Sequence, residues 1–212
     1  DDTLAPHALF VVARAINDRR NLDLIYTHED RIDRKGRRVR PYFKPDWDSE
    51  LIQRQKFICH LSVIRTDLVR RAGGFREGLE GSQDWDLILR TAALTTADRI
   101  GHLPFVLYHW REVGTSFSAR RLETAQRAGC RAVGDYLMAT GQAGQAVPSP
   151  IGGGYVEVRR AIPDPAPLVS IIVPTRDRMD LLRPCVEGVL NRTDYPAIEL
   201  VVADNDSVEW MT

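Results

Sequence analysis

The chain has 212 residues, 43% hydrophobic and 27% charged, enough apolar material for one sizeable core or two small ones. Its 29 basic and 29 acidic residues cancel, so no global field recruits nucleic acid, which is not an expected partner. Cys59, Cys130 and Cys185 lie far apart without a CxxC pair, which argues against a disulfide framework or zinc site and for a reducing cytoplasm.

Apolar residues at three- and four-residue spacing (Leu4, Leu9, Val12, Ala13, Ile16) predict a helix over 3–20, with Pro6 in its first turn. Leu22–Thr27 then reads as a short strand, and the charged stretch 31–40 around Gly36 as an exposed turn or hairpin. A loop and helix follow over 47–58, then a strand at Leu61–Arg65 and a helix from Thr66 or Asp67 to Arg71, ended by Gly73-Gly74. Glu80-Gly81-Ser82-Gln83-Asp84 leads into a helix over Trp85–Leu94. Ile100–Trp110 is a strand interrupted by Pro104, which argues for an edge or bent position. An Arg- and Ala-rich helix is expected over about 118–140.

Glycines and prolines punctuate 141–167, with a short strand at Tyr155–Arg159, so this stretch reads as a linker and domain boundary. Gly152-Gly153-Gly154 lacks the strand–helix context of a phosphate loop and is read as part of that linker. The β-branched run Leu168–Val173 reads as a strand buried on both faces; a helix over 179–191 and a second buried strand at Ile198–Ala203 complete a βαβ unit. Ligands of such sheets bind beyond the carboxyl ends of the strands, where Thr175, Asp177, Asp204 and Asn205 fall.

No apolar run reaches the ~18–20 residues of a membrane span. The acidic start shows no signal peptide, no initiating Met is present, and the chain stops just after a strand-and-turn signal. These features lead to the expectation of a piece of a longer polypeptide.

Val169-Ser170-Ile171-Ile172-Val173-Pro174-Thr175-Arg176-Asp177, with Tyr195-Pro196 and Glu199–Ser207, resembles the N-terminal signature of family 2 glycosyltransferases. The first part resembles the later half of the same domain. Asp1-Asp2-Thr3-Leu4 matches the end of an Asp-x-Asp-Asp segment. Tyr26–Asp30 is similar to a segment of a bacterial surface-polysaccharide subgroup, and Gly81–Leu87 and Leu107–Arg111 complete the set. The resemblance implies an α/β GT-A fold: a Rossmann-like mixed sheet flanked by helices, here incomplete or permuted. Residues 1–140 would be the C-terminal, metal and acceptor half of one domain; 141–167 a linker; 168–212 the nucleotide-binding βαβ of a second. A tandem enzyme explains this order most simply, a natural circular permutation being the alternative.

By the same resemblance the activity is inverting transfer from a nucleotide diphosphate sugar, UDP-linked in expectation, to a glycan or lipid-linked glycan acceptor. The setting would be the cytoplasm or the inner face of the membrane, with peripheral association. Transfer needs the diphosphate neutralised, usually by Mg²⁺ or Mn²⁺, and the acceptor hydroxyl deprotonated. Asp1 is the expected metal ligand with His109, although both also read as ordinary structural residues. Asp84 is the expected general base, with helix capping as the competing reading and Asp86 as fallback. Trp85 reads as core more readily than as a sugar platform, and Glu29 and Asp30 as near the substrates or in a solvated turn. Thr175, Asp177, Asp204 and Asn205 would contact the nucleotide base and ribose, while Arg176 replaces an aromatic residue common there. Two rival classes are a non-catalytic nucleotide- or glycan-binding module and another Rossmann-type domain; the missing glycine fingerprint argues against the latter.

Overall fold

The structure, a computed structural model, describes residues 2–112 and 122–208. It divides into two compact units, Asp1–Arg160 and Ala161–Thr212.

The first unit is built on a mixed sheet. Strand β1 (Thr3–Leu4) is followed by helix α1 (Ala8–Asp18), β2 (Leu24–Ile32) and β3 (Arg38–Tyr42). Then come α2 (Leu51–Arg54), β4 (Ser62–Ile64), α3 (Thr66–Arg71), α4 (Gln83–Ala92) and β5 (Ile100–Arg111). The long helix α5 (Leu122–Ala139) and a hairpin of β6 (Gln145–Pro148) and β7 (Val156–Arg159) complete the unit. In the sheet, β2 runs parallel to β5 along its whole length. Its other edge is shared: β4 pairs antiparallel with Leu24–Tyr26, and β3 pairs antiparallel with the far half from Glu29 to Ile32.

Alternation along β2 assigns its side chains to two faces. Leu24 and Tyr26 enter the main core with Trp85, Leu89, Val133 and Leu137 of α4 and α5. Ile25 packs oppositely with Val12 of α1, and Ala8 of the same helix meets Leu107 of β5. Helices thus cover both faces of the sheet.

Several expected elements end differently. The first helix begins at Ala8 rather than at residue 3, because Thr3 and Leu4 pair with His109 and Tyr108 of β5. The Ala5 amide continues this attachment by donating to the Leu107 carbonyl at 2.9 Å. The short strand after it runs on to Ile32, and the charged stretch is the β2–β3 hairpin, closed by Asp33 accepting from the Lys35 and Arg37 amides. Pro104 marks a bend: the β2–β5 register moves from Thr27–Leu103 to His28–Val106 around it. An edge position is not found near its end, since β5 pairs with β1 as well as β2 at Tyr108 and His109. Residues 118–121 of the expected last helix lie outside the described residues.

Residues 145–159, read as linker, form a hairpin whose Val156 and Val158 are buried in the first unit's core. The second unit consists of β8 (Val169–Thr175), α6 (Met179–Arg192) and β9 (Ile198–Asp204), with β8 and β9 parallel and in register from Val169–Ile198 to Thr175–Asp204. Its strands are not buried on both faces as their composition suggests. Ile172 is 66% exposed and Val201 and Val202 43% each, because one helix cannot sheathe both sides of a two-stranded sheet. No helix among the described residues is long and apolar enough to cross a membrane.

Candidate active site

The site lies on the sheet face shared by α4 and α5, where β5 presents Tyr108 and Trp110. It begins with the N-terminus of α4. Gln83, Asp84, Trp85 and Asp86 are consecutive, so the helical turn sends them in different directions. Trp85 goes inward: it is 1% exposed and its indole N–H donates to the Ile52 carbonyl at 2.7 Å, which makes it core rather than a sugar platform. Asp86 is fully buried between two arginines, accepting from Arg90 Nε at 2.9 Å and from Arg76 Nε at 3.2 Å. Burial alone would raise its carboxyl pKa, but the Arg76 and Arg90 hydrogen bonds outweigh it and hold the group below the usual range. Asp86 is a structural clamp.

Asp84 is half-buried and has no hydrogen bond or ion pair to a described residue. Nor does it cap its helix; Ser82 occupies the N-cap position, and its hydroxyl donates instead to the Ala125 carbonyl of α5 at 2.8 Å. Two cavities meet at Asp84. One, of about 640 Å³, continues past Phe75, Arg76 and Glu80. The other, of about 400 Å³, continues past Glu29, Tyr42 and Tyr155. Lys56, His60, Asp84 and Trp110 line both.

Their positions have local causes. The Lys56 ammonium donates to the Gly81 carbonyl at 2.8 Å, holding the turn before α4. His60 lies against the Tyr108 ring, centroids 4.6 Å apart and planes 18° from parallel. The Arg31 guanidinium sits 4.6 Å from the Trp110 ring centroid, a cation–π contact. Beneath them the buried Lys44 ammonium pairs with Glu29 at 2.9 Å, and the Glu29 carboxylate also accepts from the His60 amide at 3.2 Å. Glu29 therefore lies at the cavity wall, not in a solvated turn. Cys59 lies beside it, its thiol pushed up to about 12 by burial and then by the carboxylates of Asp84 and Glu29.

The acidic N-terminal segment reaches the same region. Asp2 accepts from the Tyr108 hydroxyl at 2.7 Å and from the Arg111 amide at 2.9 Å. Burial opposes its ionisation, but these hydrogen bonds prevail and lower its pKa. Asp2, Tyr108 and His60 thus form a continuous run of contacts to the cavities at Asp84. Asp1 lies outside the described residues. His109 alternates with Tyr108 and Trp110 and faces the other way: it is buried, its Nδ1 2.6 Å from an Asp30 carboxylate oxygen that belongs to the neighbouring strand. Asp30 also accepts from Arg38 Nε at 2.6 Å, so this pair is committed to the sheet's opposite face. Among the described residues no three His, Cys, Asp or Glu side chains converge to hold a metal ion.

In the second unit the predicted nucleotide contacts do come together at the carboxyl ends of β8 and β9. Thr175 and Asp204 are register partners, and the Asn205 amide donates to the Thr175 carbonyl at 2.9 Å. Asp177 accepts from the Val208 amide at 2.7 Å, and the Ser207 hydroxyl donates to Asp204. Sequence reasoning singled out neither Lys56 nor His60. Both lie in irregular stretches without a motif, and only the fold carries them to Asp84.

No family model matches the chain. It is 42% identical over 212 residues to an uncharacterized protein, y4gI, of Sinorhizobium fredii, covering 99% of this chain and 23% of that protein. It is also 42% identical over 211 residues to the O-antigen biosynthesis protein RfbC of Myxococcus xanthus, covering 98% of this chain and 16% of that protein. The chain thus spans less than a quarter of the length of these curated relatives.

Proposed function

We propose that the first unit is the acceptor-side half of an inverting glycosyltransferase domain, and that the second unit opens another such domain within a longer surface-polysaccharide enzyme. The observation that carries this reading is Asp84: a half-buried carboxylate without a hydrogen-bond or ion-pair partner among the described residues, placed where two cavities join. A general base needs that combination of positioning and availability. In the reaction Asp84 takes the proton of an acceptor hydroxyl as its oxygen bonds to the anomeric carbon. The bond from that carbon to the diphosphate breaks on the opposite face, and the nucleoside diphosphate leaves with the electron pair.

A match that runs through both units inside two much longer proteins supports the tandem arrangement, and the name of the Myxococcus relative supports a polysaccharide product. The rim of Thr175, Asp177, Asp204 and Asn205 would serve the nucleotide of the second domain. A divalent cation, Mg²⁺ or Mn²⁺, would neutralise the leaving diphosphate when bound, with Asp1 as the expected ligand in the intact parent.

The test is nucleoside diphosphate release from a UDP-sugar by the full-length parent, in manganese, with and without Asp84→Asn. The substitution is expected to lower by about 10²–10⁴-fold the glycan product made by the domain that holds Asp84, separated chromatographically from the second domain's product, while leaving the fold intact. Undiminished formation of both products would refute the assignment. The 212-residue chain alone is expected to be inactive.

A further inference from the structure

The cavity behind Asp84 has a wall that no motif announces. We propose that the β6–β7 hairpin forms one side of a carbohydrate subsite there, with Tyr155 and Trp110 contacting a pyranose ring of the acceptor. This rests on the transferase reading and names the substrate class for one of its cavities.

A pyranose offers C–H faces and a rim of hydroxyls, so it is held by aromatic faces with a few polar groups between them. The cavity of about 400 Å³ has that lining: Tyr42, Trp110 and Tyr155 with Glu29, Gln55 and Asp84. Tyr42 is committed, since its hydroxyl accepts from Gln55 Nε2 at 2.7 Å. The Tyr155 hydroxyl and the Trp110 indole N–H have no hydrogen-bond partner among the described residues, and Tyr155 is 37% exposed.

The hairpin is built to hold Tyr155. Below it, Val156 and Val158 are anchored in the core, and Gln126 Nε2 of α5 donates to the Tyr155 carbonyl at 3.2 Å. Above it, Gly152, Gly153 and Gly154 turn the chain with φ of +72°, +67° and +81°, conformations that residues with a Cβ rarely adopt. At Gly153 a Cβ would also come within 3.0 Å of the Tyr155 ring. The glycine run, unsuited to phosphate, lets the backbone pass beside the ring and Tyr155 lie at the cavity.

Saturation-transfer difference NMR on the 212-residue chain tests this, with the methyl glycosides of glucose, mannose, galactose and rhamnose as probes. Transfer to ring protons of at least one probe is expected, lost in Tyr155→Ala and Trp110→Ala and kept in Tyr155→Phe, which retains the ring. Amide dispersion of each variant checks its fold. No transfer from any probe, or transfer unaffected by Tyr155→Ala, overturns the subsite. If transfer depends on Tyr155 as expected but full-length Asp84→Asn turns over normally, the transferase reading falls while the subsite stands.

Discussion

Two glycines of α5 carry opposite predictions for the same substitution. A Cβ on Gly129 would lie 2.8 Å from Trp85 Cζ3 and 3.2 Å from Cε3, whereas one on Gly134 would meet nothing within 4 Å. The ring cannot easily retreat, being 1% exposed and tethered through its indole N–H to Ile52 at 2.7 Å. Ala exceeds Gly in a helix interior by about 1 kcal/mol, so Gly134→Ala should stabilise by roughly that amount. Gly129→Ala receives the same contribution but must absorb overpacking of about 1–3 kcal/mol. Propensity and unfolded-state effects cancel between the two variants, and their difference reads the clash alone. With a urea dependence of about 2 kcal/mol per molar, a 2 kcal/mol difference separates the midpoints by about 1 M. Urea melts followed by tryptophan fluorescence and far-ultraviolet circular dichroism measure it. Coincident midpoints, or a Gly129→Ala more stable than Gly134→Ala, would refute the packing of α5 on α4 that positions Asp84.

Asp86→Asn should act in the reverse sense to Asp84→Asn, costing about 3–5 kcal/mol of stability by leaving Arg76 and Arg90 without their buried carboxylate; denaturant melts of both variants separate the roles. The Asp23 carboxyl is held well below its ordinary value by the Arg99 hydrogen bond, burial opposing, and then by Thr95 and Arg65. Because its folded pKa lies below the unfolded value near 3.9, its contribution is complete above about pH 4–5 and is lost as pH falls further. Urea midpoints measured from pH 6 to pH 3 should therefore drop less steeply in Asp23→Asn than in the parent. Exposed Cys185 should react promptly with a thiol reagent at pH 8 while half-buried Cys59, its thiol pushed up to about 12, reacts much more slowly until the chain unfolds; mass spectrometry of the labelled peptides decides this.

Much of the architecture is written locally. The βαβ unit follows from two β-branched runs around an amphipathic helix, and α3 and α4 begin within two residues of where their polar leads and apolar spacing place them. Such signals survive because they concern neighbours along the chain. The carboxylates at the start of α4 were legible as candidates, but not their division of labour. Asp84 and Asp86 stand two residues apart in one helix turn; Arg90, one turn further along the same helix, and Arg76, brought in from the loop before it, together commit Asp86 to the interior.

The charged half of β2 is another case. Glu29 and Asp30 read as near the substrates or in a solvated turn and Arg31 as the start of an exposed turn or hairpin, yet all three are strand, their charges met by Lys44, His109, Arg38 and Glu112. Likewise the glycine- and proline-rich stretch after α5 carries two valines into the core and a tyrosine to the cavity. The sequence by itself determined the periodic elements and the chemical inventory of the site. Tertiary structure decided which carboxylate stays free, which strand extends through charge, and which loop is wall rather than tether. The reason is that burial and ion pairing depend on residues distant along the chain, whose approach no local pattern encodes.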